Sequence, residues 1–165
     1  GRYPQVAPAL EALAHALYVS DRVLVHGDVS PKNILFRAGL PILLDAECAT
    51  MGDACFDPAF CLNHLILKAL HLRRSRAALL AATGDLWMAY AAHIHWEAAP
   101  DLEARVCALL PALLLARVDG KSPVDYLGEA QRDWIRKIAI PAILEPAASV
   151  QEFTSYIAQE METIA

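Results

Sequence analysis

The sequence carries no surplus of positive charge: 14 Lys and Arg stand against 19 Asp and Glu, a formal net charge of −5. Nucleic-acid surfaces are usually basic, so that class of partner is set aside. The one basic run, Arg73, Arg74 and Arg76, is short and reads as a solvated helix end favoured by the helix dipole. Cysteine is scarce and unpatterned. Cys48, Cys55, Cys61 and Cys107 show no CxxC spacing, and disulfide frameworks belong to small secreted chains, which this one does not resemble. Cys61 and His64 share helical spacing, but two ligands do not make a zinc site. No signal-peptide pattern opens the sequence, so reduced thiols and a cytoplasmic location are expected. There are no low-complexity tracts and no repeats. The most apolar window, 77–96, is long enough to span a bilayer, yet it holds Thr83, Gly84, Asp85, His93 and His95 and reads as buried helix, not as a membrane span.

What is present is apolar bulk. Hydrophobic residues make up 56 % and charged residues 20 %, with a mean hydropathy of +0.33. That excludes disorder and suits a single domain of 165 residues. Part of the excess reads as a face covered by another domain or by a second copy in a homodimer.

Apolar spacing predicts a helix over 6–19, with Leu10, Leu13, Ala14 and Leu17 on one face. Ser20 and Asp21 break it, and 23–25 form a short strand leading into His26. There follows the stretch His26-Gly27-Asp28-Val29-Ser30-Pro31-Lys32-Asn33, then two short branched-chain runs, 34–36 and 42–44, then Asp45-Ala46-Glu47. Strand, Gly-containing loop and strand predict a β-hairpin. Pairing Ile34 with Leu44 and Phe36 with Ile42 puts Asn33 opposite Asp45, and opposed residues have Cα atoms only about 4.5–5.5 Å apart. Two oxygen ligands at one point beside Asp28, with positions open for water and phosphate, suit Mg²⁺. Five helices are expected beyond. Asp57 as N-cap, with Pro58 at the first helical position, opens one that runs to about 72. A second runs from about 75 to 95. A third follows Pro100-Asp101, is kinked at Pro111 and stops before Gly120. The fourth covers 128–140 and is closed by Pro141, and a capping box from Ser149 to Glu152 opens the last.

The pattern H-G-D-x-x-x-x-N, hydrophobic residues and D-x-E resembles the aminoglycoside phosphotransferase-like family of small-molecule kinases, which includes choline and methylthioribose kinases and is related to the protein kinases. Protein kinases carry H-R-D-x-x-x-x-N and D-F-G at the same places. Here Gly27 stands for that Arg, and Ala46-Glu47 for Phe-Gly, departures that point to the small-molecule branch. The segment Gly52-Asp53-Ala54-Cys55-Phe56-Asp57-Pro58-Ala59 is similar to the family's G-D-x-x-x-D-x-A. The resemblance implies an α+β, mainly α fold. It would be a protein kinase-like C-terminal lobe, with a small β-hairpin carrying the catalytic and metal loops packed on a helical bundle. One domain, 1–165, is expected. Residues 1–56 would hold the first helix, the catalytic loop and the metal-binding hairpin, and 57–165 a helical acceptor-side subdomain. The sequence shows no Gly-rich loop and no strand Lys paired with a helix Glu, so an N-terminal nucleotide lobe of the same protein is expected as a partner.

The implied reaction is ATP- and Mg²⁺-dependent phosphoryl transfer to a hydroxyl of a small molecule such as an aminoglycoside, an aminosugar, choline or a methylthioribose-like compound. Asp28 is the implied catalytic base, Asn33 and Asp45 are metal ligands, and Glu47 is a further ligand by its place in D-x-E. Ser30 and Lys32 lie where the transferred phosphate would pass. His26 is expected to hold the loop by hydrogen bonds, and Asp57 to cap its helix and accept amides from the loop. His64, His71, His93 and His95, with Trp87, Trp96 and Trp134, read as packing or surface residues. The polar turn 117–123 lies within reach of an acceptor pocket, and Glu97, Asp101, Glu103, Asp119 and Asp125 would favour a cationic acceptor. Two other functions are weighed. A non-catalytic lobe kept for binding is disfavoured because Asp28, Asn33 and Asp45 are all present. A protein kinase is disfavoured because the ten residues between Glu47 and Pro58 are too few for a peptide-docking segment.

Overall fold

The computed structural model describes residues 2–163, a mostly helical chain with four short strands in two separate two-stranded sheets. Helix α1 (Ala7–Val19) leads, with Pro8 in its first turn, where a missing N–H goes unnoticed. Strand β1 (Val23–Val25) pairs antiparallel with β4 (Thr50–Gly52), Val25 lying opposite Thr50. From sequence, 50–52 carries no expected structure. Its pairing with β1 closes the long segment 26–49 at its base.

Strands β2 (Ile34–Arg37) and β3 (Leu40–Leu43) form the expected hairpin, but in a different register. Ile34 faces Leu43, Phe36 faces Pro41 and Arg37 faces Leu40, so the loop is only Ala38-Gly39. Both loop residues have positive φ, 52° and 78°. That is the two-residue turn whose twist matches antiparallel strands. Pro41 fits inside a strand here because every strand of a two-stranded sheet is an edge. The shift of one residue brings Leu44, not Asp45, beside Asn33: the Leu44 N–H donates to the Asn33 carbonyl at 2.9 Å. Asp45 follows in the left-handed region at φ 65°, ψ 56°.

Five helices follow: α2 (Phe56–His71), α3 (Arg76–Ala91), α4 (Ala99–Asp119), α5 (Glu129–Leu144) and α6 (Val150–Glu162). Several ends differ from expectation: α3 stops at Ala91 instead of about 95, and α4 begins at Ala99, ahead of Pro100-Asp101. Helix α2 starts one residue before Asp57, so Cys55 takes the N-cap position and Asp57 falls in the first turn. Asp53 supplies the local acceptor instead, its Oδ1 taking the Cys55 N–H at 2.9 Å. Helix α5 runs through Pro141 to Leu144, because Ala142 and Ile143 beyond the proline are buried and offset the hydrogen bond it removes. At α6, Ser149 Oγ accepts the Glu152 N–H at 3.1 Å, but the Glu152 carboxylate reaches back one residue further, to the Ala148 N–H at 2.8 Å.

The core lies among the helices. Leu62, Ile66, Leu67 and Leu70 of α2 meet Leu102, Val106, Leu110 and Leu114 of α4, and α5 and α6 add Ile135, Ile138, Phe153 and Ile157. Burying one such side chain is worth about 1.5–3 kcal/mol. The hairpin contributes little: Leu35, Phe36, Leu40 and Leu43 are exposed, as are Leu24 and Met51 on the β1–β4 pair. The core is thus helical, and the hairpin expected to pack on it keeps most of its apolar side chains exposed. Arg76 is not a solvated helix end. Its guanidinium donates to the Met161 carbonyl at 2.8 Å and to that of Ala69, tying α2, α3 and α6 together. No helix among the described residues is long and apolar enough to cross a membrane.

Candidate active site

Strand β1 delivers the chain into 26–33, and Asp57 fixes where it lands. From the first turn of α2 its two carboxylate oxygens accept the backbone N–H groups of His26 (2.7 Å) and Gly27 (2.9 Å). Amide bonds to a carboxylate are roughly twice as strong as neutral ones. Gly27 has φ +82°, and a Cβ there would lie 2.6 Å from the Cys48 carbonyl oxygen. Both the backbone conformation and the close approach demand glycine before Asp28. His26 Nδ1 accepts the Asp28 N–H at 3.3 Å, which leaves the ring proton on Nε2; that atom is buried with no partner.

The half-buried Asp28 is held by two residues of its own loop. Its Oδ2 accepts from Asn33 Nδ2 at 2.9 Å and pairs with Lys32 Nζ at 3.2 Å. Asn33 is buried, and the same Nδ2 also donates to the Asp28 carbonyl at 3.0 Å. The five-residue spacing of Asp28 and Asn33 is therefore bridged twice by one amide group, through a single turn over Pro31–Asn33. That spends the amide's two protons, and no donor among the described residues engages its Oδ1. Lys32 is exposed. Ser30, expected beside a passing phosphate, is instead 1 % exposed with its hydroxyl buried and unpartnered. Its hydroxyl is thus closed off from solvent.

Asp45 and Glu47 are exposed, and neither carboxylate has a hydrogen bond or ion pair with another described residue. No three His, Cys, Asp or Glu side chains gather into a metal cluster among the described residues. The structure therefore joins Asp28, Asn33, Lys32, His26 and Asp57 into one unit by hydrogen bonds and leaves Asp45 and Glu47 outside it. The donor set still fits Mg²⁺ in kind. Asn33 Oδ1 and two unpaired carboxylates are hard oxygen donors with no protein cation competing for them.

Two successive polar residues of α2 stand out: Asn63, given no role from sequence, and His64, expected only as a packing or surface residue. Asn63 is fully buried with neither amide atom partnered, and His64 is 9 % exposed with Nε2 unpartnered. Burial, then the nearby Arg117, Lys32 and Lys68 charges, push the His64 imidazole down to about 4, against an opposing pull from Asp28. The available signal was two polar residues in succession inside the apolar run of α2. The thiols of Cys55 and Cys61 are pushed up to about 12 and about 11 by burial and stay protonated.

The carboxylates expected to attract a cation are mostly engaged within the protein. Arg105 holds Asp53 at 3.1 Å and Glu97 at 2.7 Å. Asp119 receives a two-pronged guanidinium from Arg136 (2.9 and 3.0 Å), the Tyr3 hydroxyl (2.7 Å) and Arg2, and Glu103 accepts the Val150 N–H. A cavity of about 460 Å³ between α1 and β4 is lined by Leu17, Tyr18, Val25, Met51 and Phe56, among others; none of Asp28, Asn33 or Asp45 lines it.

The model of the phosphotransferase enzyme family (APH) matches residues 2–93. The chain belongs to that family. The matched span runs from α1 to α3 and takes in the Asp28–Asn33 unit, the two carboxylates after the hairpin and Asp57. Helices α4 to α6 lie beyond it. A search of curated proteins found no match.

Proposed function

We propose that this phosphotransferase-family chain is the kinase-like catalytic lobe of an enzyme that moves the γ-phosphoryl group of ATP to a hydroxyl of a small molecule. One observation carries the reading: Asp28 is held by Asn33 and Lys32 on a loop that Asp57 anchors by two backbone amides. Phosphoryl transfer asks mainly for positioning and charge neutralisation. Asp28 orients the acceptor hydroxyl and takes its proton as the oxygen attacks phosphorus. Lys32, exposed beside it, offsets charge on the moving phosphoryl group. Asn33, Asp45 and Glu47 would hold Mg²⁺, which supplies charge neutralisation at the donor phosphates. A small acceptor is supported by the short span after the hairpin: β4 follows at Thr50 and α2 at Phe56, with no long peptide-docking segment between. The exposed apolar side chains of the hairpin and of β1–β4 support a nucleotide lobe of the same protein seated there; a homodimer face is the other cover for them.

The test is ADP release with ATP and Mg²⁺ across amino-sugar, choline-like, pentose and anionic polyol acceptors, with an Asp28→Asn variant alongside. Acceptor-dependent release that falls by about 10³-fold or more in the variant is the expected result. Equal release from parent and variant would refute the role of Asp28. Loss of Mg²⁺–ATP binding altogether would leave a binding module.

A further inference from the structure

Lys68, Arg117 and Tyr126 form a group that the reaction above does not use. On α2, His64, Lys68 and His71 follow one another at four and three residues, on one face of the helix. Lys68 Nζ sits 3.8 Å over the Tyr126 ring, and the His71 ring packs 5.0 Å from it, so the segment after α4 lies along this face. Arg117 comes from the last turn of α4. Its carbonyl takes the Val124 N–H at 2.8 Å, folding the turn back, and its Nη1 donates only to the Ser122 hydroxyl at 3.3 Å. Arg117 Nε and the Tyr126 hydroxyl are buried with no partner at all.

That poverty of partners is particular to this arginine among its half-buried neighbours. Arg105 and Arg136 hold carboxylates, and Arg132 donates to the Val118, Val124 and Leu127 carbonyls. Neither Lys68 nor Arg117 pairs with a carboxylate, although exposed Asp125 is nearby in sequence. Asp28 is already matched by Lys32. The charges of Arg117, Lys68, Lys32 and Asp28 are all felt by the buried His64 imidazole, so the unmatched cations and the candidate base act on one side chain of α2. A guanidinium with free N–H groups beside an ammonium suits an oxyanion.

We propose that the acceptor carries an anionic group, a carboxylate or a phosphate, besides its reacting hydroxyl, and that Arg117 and Lys68 receive that group. This rests on the phosphotransferase reading and reverses the cationic preference expected from sequence. Of the carboxylates that would have served a cation, Glu97, Asp119 and Glu103 are engaged with Arg105, Arg136 and the Val150 N–H.

The test is calorimetric titration of the full protein with D-gluconate and glycerol 3-phosphate, against their uncharged counterparts D-glucitol and glycerol, and with glucosamine. The anionic probes are expected to bind about tenfold or more tightly than the uncharged ones. The gap should close in Arg117→Gln and in Lys68→Met at unchanged melting temperature, and Arg117→Lys should recover part of it. Mg²⁺–ATP binding should be the same in all variants. No preference for the anions, or a preference that survives both variants, overturns the proposal. So does a parallel loss of Mg²⁺–ATP binding, which would give the cluster to the donor phosphates. ADP release separates the two readings. Anion binding that depends on Arg117 and Lys68 without any transfer supports the anion site and sinks the phosphotransferase. Transfer favouring glucosamine or glycerol does the reverse.

Discussion

Lowering the pH from 7.5 toward 5 should destabilise the fold through His64. Burial, helped by the Arg117, Lys32 and Lys68 charges, holds this imidazole at about 4 in the folded chain, against an ordinary value of 6.5. The unfolded chain therefore binds a proton at His64 between pH 6.5 and 4 that the folded chain refuses, and stability rises with pH across that window. Full stability is present above 6.5 and is lost progressively down to about 4. At about 1.36 kcal/mol per unit the whole window is worth about 3 kcal/mol, of which about 2 is gone by pH 5. Asp53 and Asp119 do not confuse the reading. In Asp53 the Cys55 amide and Arg105 outweigh burial, and in Asp119 Arg136 leads, so both carboxyls lie below 3.8 and lose their contribution only below that pH. Urea denaturation at pH 7.5, 6 and 5 measures the slope, and His64→Gln, which cannot take the proton, should flatten it. Equal slopes in parent and variant would refute the burial argument, provided both unfold with the same urea dependence.

Asp57→Ala removes the acceptor of two loop amides, so it should cost about 2–4 kcal/mol in urea unfolding and abolish acceptor-dependent ADP release. Asp57→Asn, keeping one acceptor oxygen, should fall between. Gly27→Ala meets both the left-handed φ and the Cys48 carbonyl, and should lose about 1–3 kcal/mol with a disordered loop seen by amide exchange. Asp119→Ala strands the mostly buried Arg136 and frees Tyr3, with an expected cost of about 3 kcal/mol; Arg136→Leu added to it should restore part of that loss.

How much of this was legible in the sequence depended on the distance over which each feature is decided. Helices α1 to α6 announced themselves because apolar spacing is local and long. Their ends did not. Asp57-Pro58 has the chemistry of a helix start, but the Asp53 side chain already supplies an acceptor to Cys55, and two amides from 31 and 30 residues upstream claim the Asp57 carboxylate. Pro141 has the chemistry of a stop, yet burial of Ala142 and Ile143 carries α5 past it. The hairpin register turned on Ala38, whose φ of 52° is unfavourable for any residue but glycine and asparagine. Nothing local marks an alanine for that conformation, and one residue of slip moved Asp45 away from Asn33.

The site divides along the same line. Asp28, Lys32 and Asn33 lie within six residues, so their bonds follow from spacing, and the other candidate site positions, Asp45, Glu47 and Asp57, lie inside the family match. The proposed anion site is built differently. Lys68, Arg117 and Tyr126 come from α2, the end of α4 and the segment before α5, and only packing brings them together; the last two also lie outside the family match. A count of carboxylates on those elements suggested a cation. Charge in a folded protein is what remains after internal pairing, and here Arg105 and Arg136 take up Asp53, Glu97 and Asp119 while Lys68 and Arg117 pair with no carboxylate. A proposal about acceptor charge must therefore start from the unmatched residues, which no sequence count supplies.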